Sequence, residues 1–258
     1  MSSPTRFRII HMPFIEIATG ARLHYHDEGR GEPLIALHGL LGTPDAHLPQ
    51  VIGYLSERYR VIAPTLRGYG QSTPKPRDFP TDFYHRDARD VLAMMDALQI
   101  ERAHILGYSD GGEIALILGG IAPERILSVI AWGAVGYFGP NMRPFVQRLF
   151  PANWMTDEEK RLHGIGDPDG FALDWIHALN AMIDSGGDIS LSLAEDMIAP
   201  VLLMLGEQDS LNPQEYGQNL ISRTPKGRLV MFDTGHPIHD EDWDGFKETV
   251  TDFLAGVR

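Results

Sequence analysis

Residues 105–112 read Ile-Leu-Gly-Tyr-Ser-Asp-Gly-Gly, and this stretch decides the fold of the chain. The apolar run 103–106 leads into it, and a helical apolar pattern, 113–118, follows it. Between the two runs lies the pattern G-x-S-x-G, which places Ser109 on a sharp turn from a strand into a helix. The glycines at 107 and 111 leave room for neighbouring backbone to pass close to that turn. We therefore predict an exposed Ser109 hydroxyl at a helix N-terminus, whose N–H groups favour negative charge.

Strand-like and helix-like segments alternate on both sides of this turn. We predict a hairpin from residues 14–18 and 21–26, further strands at 33–37, 59–63, 103–106, 126–132, 200–205 and 228–232, and helices near 83–98, 213–222 and 242–254. Alternation of this kind is typical of a parallel sheet with helices on both faces. The predicted fold class is therefore α/β, with a mostly parallel sheet of eight strands.

The alternation breaks in one long segment between the strand at 126–132 and the strand at 200–205. This segment is aromatic and helical in pattern, and it shows no clear strand. An insertion at the carboxyl end of a strand would cover the crevice in which open α/β sheets bind ligands. We therefore assign residues 1–133 and 195–258 to an α/β core and residues 134–194 to a small helical cap. Phe138, Met142 and Trp154 are candidates from the cap for lining a pocket.

Composition excludes several classes of function. The chain has 258 residues, 43% of them hydrophobic and 22% charged, so it can bury a full core. Its net charge of −13 argues against a nucleic-acid partner, because phosphate contacts need clustered Lys and Arg. Cysteine is absent, which excludes disulfides, thiolate nucleophiles and cysteine-based zinc sites.

Targeting signals are also missing from the sequence. No apolar run approaches the roughly 20 residues of a membrane helix, so we expect no membrane partner. Residues 1–12 read as a loose segment that leads into the fold. They contain Arg6 and Arg8 but no apolar core, which argues against a secretory signal. We expect a cytoplasmic protein that is a monomer or a small homo-oligomer acting on a small molecule.

The residues after the last two predicted strands offer partners for Ser109. A serine hydroxyl is a poor nucleophile at neutral pH and needs a base to take its proton. After a nucleophile elbow, the acid and the histidine follow the serine in that order along the chain. Asp209 follows the strand at 200–205, and His236 follows the strand at 228–232. Since carboxyl ends of parallel strands share one edge of the sheet, we predict that Ser109, Asp209 and His236 form a catalytic triad.

Other residues compete for these roles. Glu207 and Asp233 are alternatives to Asp209 as the acid, and His239 is the main rival of His236. Residues 236–240, His-Pro-Ile-His-Asp, also permit a metal site, although no HExxH spacing occurs in the chain. Ser72 follows a Gly-Gln pair that mimics half an elbow, but Thr-Pro comes next instead of a glycine and a helix. We predict a structural role for Ser72.

Two backbone N–H groups are expected to form an oxyanion hole. One belongs to Asp110, directly after the serine, and the other to a residue of the loop 38–42, for which we choose Leu40. Such a donor typically lowers the barrier of acyl transfer by roughly 3 kcal/mol. The alternative is that His38-Gly39 is only a loop glycine after a buried strand.

Asp110 carries the main hint about the substrate. A carboxylate beside the nucleophile works against a developing oxyanion through like-charge repulsion. The site tolerates it best when the substrate brings a positive charge, such as an α-ammonium group. In the alternative interpretation, the Asp110 side chain points into solvent and only its N–H contributes.

Taken together, these motifs resemble the α/β-hydrolase superfamily and, within it, the valacyclovir hydrolase (biphenyl hydrolase-like) group of α-amino acid ester hydrolases. The resemblance is carried by residues 66–72, 77–80, 82–84, 86–88, 107–112 and 131–134. It implies a triad of Ser109, Asp209 and His236, with Asp110 holding the amino group of the substrate. Tyr108 departs from the tryptophan of the best-known member, and the cap does not align. Both departures leave the alcohol and acyl preferences open.

The implied reaction is ester hydrolysis through an acyl-enzyme, with no cofactor and no metal. Alternatives on the same fold are a general carboxylesterase, or an acyltransferase or perhydrolase that passes the acyl group to another acceptor. A haloalkane dehalogenase would need an aspartate in place of Ser109. A non-catalytic ligand-binding protein is a further class, because some members of this fold became receptors.

Overall fold

The computed structural model describes residues 13–257, and its centre is a sheet of eight strands. The strands within these residues are β1 (Phe14–Glu16), β2 (Arg22–Gly29), β3 (Pro33–Leu37), β4 (Arg60–Pro64), β5 (Ala103–Tyr108), β6 (Ile126–Trp132), β7 (Val201–Gly206) and β8 (Gly227–Phe232). Their order is β1-β2-β4-β3-β5-β6-β7-β8, in which the pairs β1–β2 and β2–β4 are antiparallel and all pairs from β4–β3 onward are parallel. The predicted hairpin and the mostly parallel eight-stranded sheet are confirmed.

Helices connect the parallel strands. They are α1 (Pro44–His47), α2 (Pro49–Leu55), α3 (Phe83–Ala97), α4 (Asp110–Ile121), α5 (Arg143–Gln147), α6 (Asp157–His163), α7 (Pro168–Asp184), α8 (Gln214–Arg223), α9 (Ile238–Glu241) and α10 (Trp243–Gly256). Short 3₁₀ turns lie at Pro123–Arg125, Pro140–Met142 and Leu191–Asp196. The helices predicted near 83–98, 213–222 and 242–254 are present, each with ends that differ by one or two residues.

The central strands are buried on both sides, as their continuous apolar runs indicate. Successive side chains of a strand point to opposite faces, so each central strand contributes side chains to two hydrophobic cores, one on each face of the sheet. On one face, Ile35 and Ile105 pack in the larger core, which α3, α4 and the helices between β6 and β7 cover. On the other face, Leu34 and Leu106 pack against α2 and α10.

The segment between β6 and β7 is helical, as predicted. It contains α5, α6, α7 and two of the 3₁₀ turns, and no strand is assigned within it, although Tyr137 and Asp188 form an isolated bridge. Phe138 and Met142 are buried in the larger core, whereas Trp154 is 39% exposed. The loose segment predicted at residues 1–12 lies outside the described residues. Within 13–257, no helix combines the length and apolar character needed to cross a membrane.

Helix α4 approaches the sheet very closely at its first turn. A Cβ added to Gly107 would lie 2.0 Å from the carbonyl oxygen of Gly111, and one added to Gly111 would lie 2.4 Å from the carbonyl oxygen of Leu37. Both obstacles are backbone atoms, which cannot move aside as a flexible side chain does. The two glycines of the motif are therefore required by the packing of α4 against β3 and β5.

We expect Gly111→Ala to destabilise the protein by about 1–3 kcal/mol or more, because the added methyl group overpacks backbone against backbone. The matched control is Gly256→Ala in α10, where no atom lies within 4 Å of the added Cβ. The measurement is the midpoint of urea unfolding for both variants. Similar midpoints for the two variants would show that the close approach is not a constraint.

Candidate active site

Ser109 lies at the turn between β5 and α4, with a backbone φ of +55°. A positive φ is unfavourable for a residue with a Cβ and marks strain that the surrounding structure must hold. The hydrogen bond from Ser109 N to Trp132 O, 2.9 Å, and that from Gly112 N to Ser109 O, 2.7 Å, fix the turn on both sides. The predicted elbow therefore exists, and it directs the hydroxyl away from its own strand.

The three residues predicted as a triad are brought together from three strand ends. Ser109 Oγ lies 3.0 Å from His236 Nε2, and His236 Nδ1 lies 2.7 Å from Asp209 Oδ2. These distances suit a hydroxyl that donates to Nε2 and an Nδ1–H that donates to the carboxylate. Chemically, this chain of hydrogen bonds can move the proton of Ser109 onto His236 while Asp209 orients the ring.

The surroundings of Asp209 favour the ionised form of its carboxyl group. Burial raises its pKa, but hydrogen bonds from His236, from Asn212 Nδ2 at 2.9 Å and from Leu211 N at 2.9 Å outweigh burial, so the pKa lies below its usual value. The alternatives lie elsewhere. Glu207 and Asp233 are exposed, and Asp233 accepts a hydrogen bond from Gln208 instead of from a histidine.

His239, the rival histidine, occupies a different environment. It accepts a hydrogen bond from Trp132 Nε1 at 3.0 Å, and its Nε2 lies 2.9 Å from His47 O. Burial lowers its pKa, so the ring is neutral at pH 7 and acts as a bridge between β6 and α1. Across the described residues, no group of three or more His, Cys, Asp or Glu side chains has metal-binding geometry.

Ser72 is fully buried and has a structural role, as predicted. Its hydroxyl donates to Thr65 O at 2.6 Å and accepts from His24 N at 3.0 Å. These bonds join the loop after β4 to β2, and they leave no room for a substrate.

The loop 38–42 lies directly against the serine. A Cβ on Gly39 would be 2.9 Å from Ser109 Cβ, so this position has no space for a side chain. Gly39 N donates to His47 Nδ1 at 3.3 Å, and His38 Nδ1 lies 2.8 Å from Gly39 O. Burial lowers the pKa of His47 to about 4, which keeps its ring neutral and able to accept that bond. Leu40 follows these fixed groups and lines the cavity above Ser109.

The side chain of Asp110 is buried, so the alternative that it points into solvent is wrong. Asp110 is 6% exposed because α3 and α7 cover it. Tyr84 Oη donates to Asp110 Oδ1 at 2.7 Å, and Asp110 Oδ2 has no hydrogen-bond partner among the described residues. Burial raises the pKa of Asp110 to about 6, although the Tyr84 hydrogen bond and the nearby Arg77 oppose the rise. The Trp175 indole also lowers this pKa, although its Nε1 does not meet the geometry of a hydrogen bond to Asp110 Oδ2.

A cavity of about 270 Å³ opens above these groups, at the small end of ligand pockets. Its lining is mainly apolar and aromatic and comes from both the sheet edge and the segment between β6 and β7: Leu40, His47, Tyr84, Tyr108, Ser109, Asp110, Glu113, Gly133, Phe138, Met142, Leu149, Trp175, Leu179, Leu211, Asn212 and His236. Phe138 and Met142 line it as predicted. Trp154 does not line it, because its indole points outward and donates to Leu149 O.

Several residues of the site were not identified from the sequence, and four of them matter most for its chemistry. Asn212 supports Asp209, Tyr84 supports Asp110, and Trp175 and Glu113 line the cavity. An amide three residues after a candidate acid is a local signal that could have identified Asn212. The other three depend on how α3, α4 and α7 pack, for which the sequence offers no local signal.

A second Ser-His-acid arrangement occurs near the amino ends of the central strands β5 and β6. His104 Nδ1 lies 2.7 Å from Ser128 Oγ, and His104 Nε2 lies 3.1 Å from Glu32 Oε2. Ser128 is completely buried between β5 and β7, so no substrate can reach its hydroxyl. A hydrogen-bonded serine, histidine and acid can therefore act on a substrate only where a cavity reaches the serine hydroxyl.

Comparison with known proteins agrees with this architecture. A family model for the alpha/beta hydrolase fold matches residues 32–163. Serine hydrolase BPHL from Mus musculus is 33% identical over 243 residues, which cover 91% of this chain and 84% of that protein. The 2-hydroxy-6-oxo-6-phenylhexa-2,4-dienoate hydrolase from Burkholderia cepacia is 30% identical over 266 residues, 91% of each chain. The solved enol-lactonase from Burkholderia xenovorans LB400 has a TM-score of 0.70 at 26% identity, covering 94% of this chain and 100% of that one.

The chain therefore belongs to the α/β-hydrolase family, and it is a hydrolase. The resemblance to the valacyclovir hydrolase group is confirmed by the similarity to serine hydrolase BPHL over most of the chain. The names of the other relatives specify an oxo-dienoate and an enol-lactone. Family membership thus defines the reaction class, and the substrate must be argued from the site.

We expect Asp209→Asn to lower kcat for an activated ester such as 4-nitrophenyl butyrate by about 10³–10⁴-fold, because the amide no longer holds His236 in the tautomer that accepts the serine proton. The control is Asp233→Asn, an exposed acid on the neighbouring loop, for which kcat stays within about twofold of the wild type. A larger loss for Asp233→Asn would reassign the acid.

Proposed function

We propose that this protein is a serine esterase that cleaves carboxylic esters through an acyl-enzyme. Ser109 attacks the ester carbonyl while His236 takes its proton, and Asp209 orients the imidazole and stabilises its charged form. The alcohol leaves with the proton from His236, and water then releases the acid by the same sequence of steps. The observation that carries this proposal is the continuous hydrogen-bonded chain Ser109–His236–Asp209 at the floor of a cavity.

The backbone N–H groups of Leu40 and Asp110 are proposed as the oxyanion hole. Asp110 N is in the first turn of α4, where N–H groups have no partner inside the helix. The loop that carries Leu40 is pressed against Ser109 at Gly39 and is held by His38 and His47. Prepositioned donors of this kind need no reorganisation when negative charge develops.

We propose small α-amino acid esters as the substrate class, with the α-ammonium group bound by Asp110. The cavity buries the Asp110 carboxylate, one of whose oxygens is unpartnered among the described residues. In residues 13–257, no Lys or Arg lines this cavity, so a cationic substrate is the natural partner of that oxygen. For the same reason, the cavity disfavours acids such as the dienoate in the name of the Burkholderia cepacia relative.

Residues 134–194 are proposed to act as a cap over this site. Phe138, Met142, Trp175 and Leu179 of this segment form the wall of the cavity opposite Ser109. Residues of the cap thereby select the acyl group, while the sheet edge supplies the chemistry. Product analysis in the presence of other acceptors distinguishes this esterase from an acyltransferase or perhydrolase with the same site.

We expect Ser109→Ala to abolish ester hydrolysis and fluorophosphonate labelling while leaving the midpoint of thermal unfolding nearly unchanged, since the hydroxyl serves the reaction and not the fold. Ser72→Ala is the matched control with the opposite pattern. It retains activity and loses about 1–3 kcal/mol of stability, because two buried hydrogen bonds are broken. Activity of Ser109→Ala near that of the wild type would refute the proposal.

We expect Asp110→Asn to lower kcat/KM for norleucine methyl ester by about tenfold or more, because a charged hydrogen bond to the α-ammonium group is lost. Hexanoate methyl ester, which is the same substrate without the amino group, is the control and should change much less. Initial rates of acid release measure both. Equal losses on the two esters would remove the role of Asp110 in binding an ammonium group.

The preference for the amino ester should also depend on pH. Asp110 is ionised above its pKa of about 6, and the α-ammonium group of the substrate stays charged below about pH 7. The ratio of kcat/KM for norleucine over hexanoate methyl ester should therefore rise from pH 5 to pH 7. Any effect of pH on the acyl-transfer step itself is common to both esters and cancels in the ratio. In Asp110→Asn the ratio should be flat, and a flat ratio in the wild type would contradict the assignment.

A further inference from the structure

Glu113 is a second carboxylate in the same cavity, one helical turn beyond Asp110. Residues three apart on a helix share one face, and both side chains line the cavity. Glu113 is 2% exposed, and α4 places it farther from Ser109 than Asp110. The triad and the proposed ammonium site make no use of this group.

The hydrogen bonds of Glu113 do not account for its charge. Val135 N donates to its Oε1 at 2.8 Å, and Gly136 N donates to its Oε2 at 3.0 Å. These are neutral donors, so they leave the negative charge of an ionised Glu113 without a cationic partner. A carboxylate accepts about four hydrogen bonds, so acceptor capacity remains for a ligand.

Within the described residues neither acid has an ion-pair partner, although the charge of Arg77 acts on Asp110. Among residues 13–257, Glu113 forms no ion pair, and no Lys or Arg lines the cavity. Arg77, which lowers the pKa of Asp110, is paired with Asp87 at 2.7 Å. Asp110, whose Oδ2 has no hydrogen-bond partner among the described residues, lines the same cavity. Two buried acids without a counter-cation favour a ligand with two positive charges.

The apolar part of the cavity wall suits the stem of a basic side chain. Phe138, Met142 and Leu179 are apolar and line the cavity together with Glu113. A lysine side chain combines four methylene groups, which bury favourably on such walls, with a terminal ammonium that pairs with a carboxylate.

We propose that Glu113 is a specificity-determining residue that binds a second ammonium group, on the side chain of the acyl part, so that the site takes esters of basic amino acids such as lysine. This inference rests on the proposed function, because the α-ammonium group at Asp110 orients the acyl part. Burial raises the pKa of Glu113 to about 7, and an ammonium group beside it would hold it ionised at neutral pH.

The test uses three methyl esters that differ by one ammonium group at each step: hexanoate, norleucine and lysine. Norleucine is hexanoate with an α-amino group, and lysine is norleucine with a terminal amino group. At pH 7 we expect kcat/KM for lysine to exceed that for norleucine by about tenfold or more, as a charged hydrogen bond predicts. Glu113→Gln should bring the lysine-to-norleucine ratio to about one or below and leave the norleucine-to-hexanoate ratio nearly unchanged.

Glutamine keeps one acceptor oxygen, which can accept from both N–H groups, as Glu113 Oε1 does from Val135 N at 2.8 Å and from Gly136 N at 3.3 Å. A purely structural disturbance would act on all three esters and would leave the lysine-to-norleucine ratio nearly unchanged. Glu124→Gln, at an exposed glutamate outside the cavity, is the matched control and should behave like the wild type. If Glu113→Gln does not fold, competitive inhibition of the wild type decides, with lysine amide expected to bind about tenfold more tightly than norleucine amide.

A wild-type preference for norleucine over lysine would overturn the inference, as would a lysine-to-norleucine ratio unchanged by Glu113→Gln. Failure of the proposed function gives a different result. In that case the norleucine-to-hexanoate ratio is about one in the wild type, or the Ser109→Ala variant retains activity. The two steps of the ester series therefore test Asp110 and Glu113 separately.

Discussion

The site depends on how closely helix α4 packs against strands β3 and β5. With glycine at 107 and 111, backbone meets backbone, and the turn between β5 and α4 becomes tight enough to hold Ser109 at a φ of +55°. The strain is maintained by hydrogen bonds to Trp132 and Gly112 on the two sides of the turn. Because the turn is fixed, the hydroxyl meets His236 Nε2 at 3.0 Å without any movement of the helix.

The same approach of α4 creates the charge of the cavity. The first turn of the helix has backbone N–H groups without partners inside the helix, and the same turn carries the buried Asp110 and Glu113, which line the cavity. Burial raises the pKa of both acids, to about 6 and about 7, so each is ionised at modest cost near neutral pH. In the proposed mechanism, this one helix supplies a donor for the developing oxyanion and the acceptors for the cationic groups of the substrate.

Comparison of Ser109 with Ser128 shows why the residue types alone do not define a site. Both hydroxyls lie within 3.0 Å of an imidazole whose other nitrogen faces a carboxylate. Ser109 is at the carboxyl end of its strand, where the loops and the segment between β6 and β7 leave a cavity. Ser128 is within β6 and is completely buried. The position of the serine along its parallel strand therefore decides whether its hydroxyl can contact a substrate.

The sequence by itself determined the alternation of strands and helices, the elbow at Ser109 and the strand ends that carry Asp209 and His236, because these features depend on local periodicity and glycine spacing. Only the tertiary structure decided that Asp209 and not Glu207 or Asp233 contacts the imidazole, and that His239 is a buried bridge. It also decided that the Asp110 side chain is buried, that Trp154 points outward, and that Glu113 shares the cavity. These outcomes depend on packing between segments far apart in the chain, where residues of the same type differ only in what covers them.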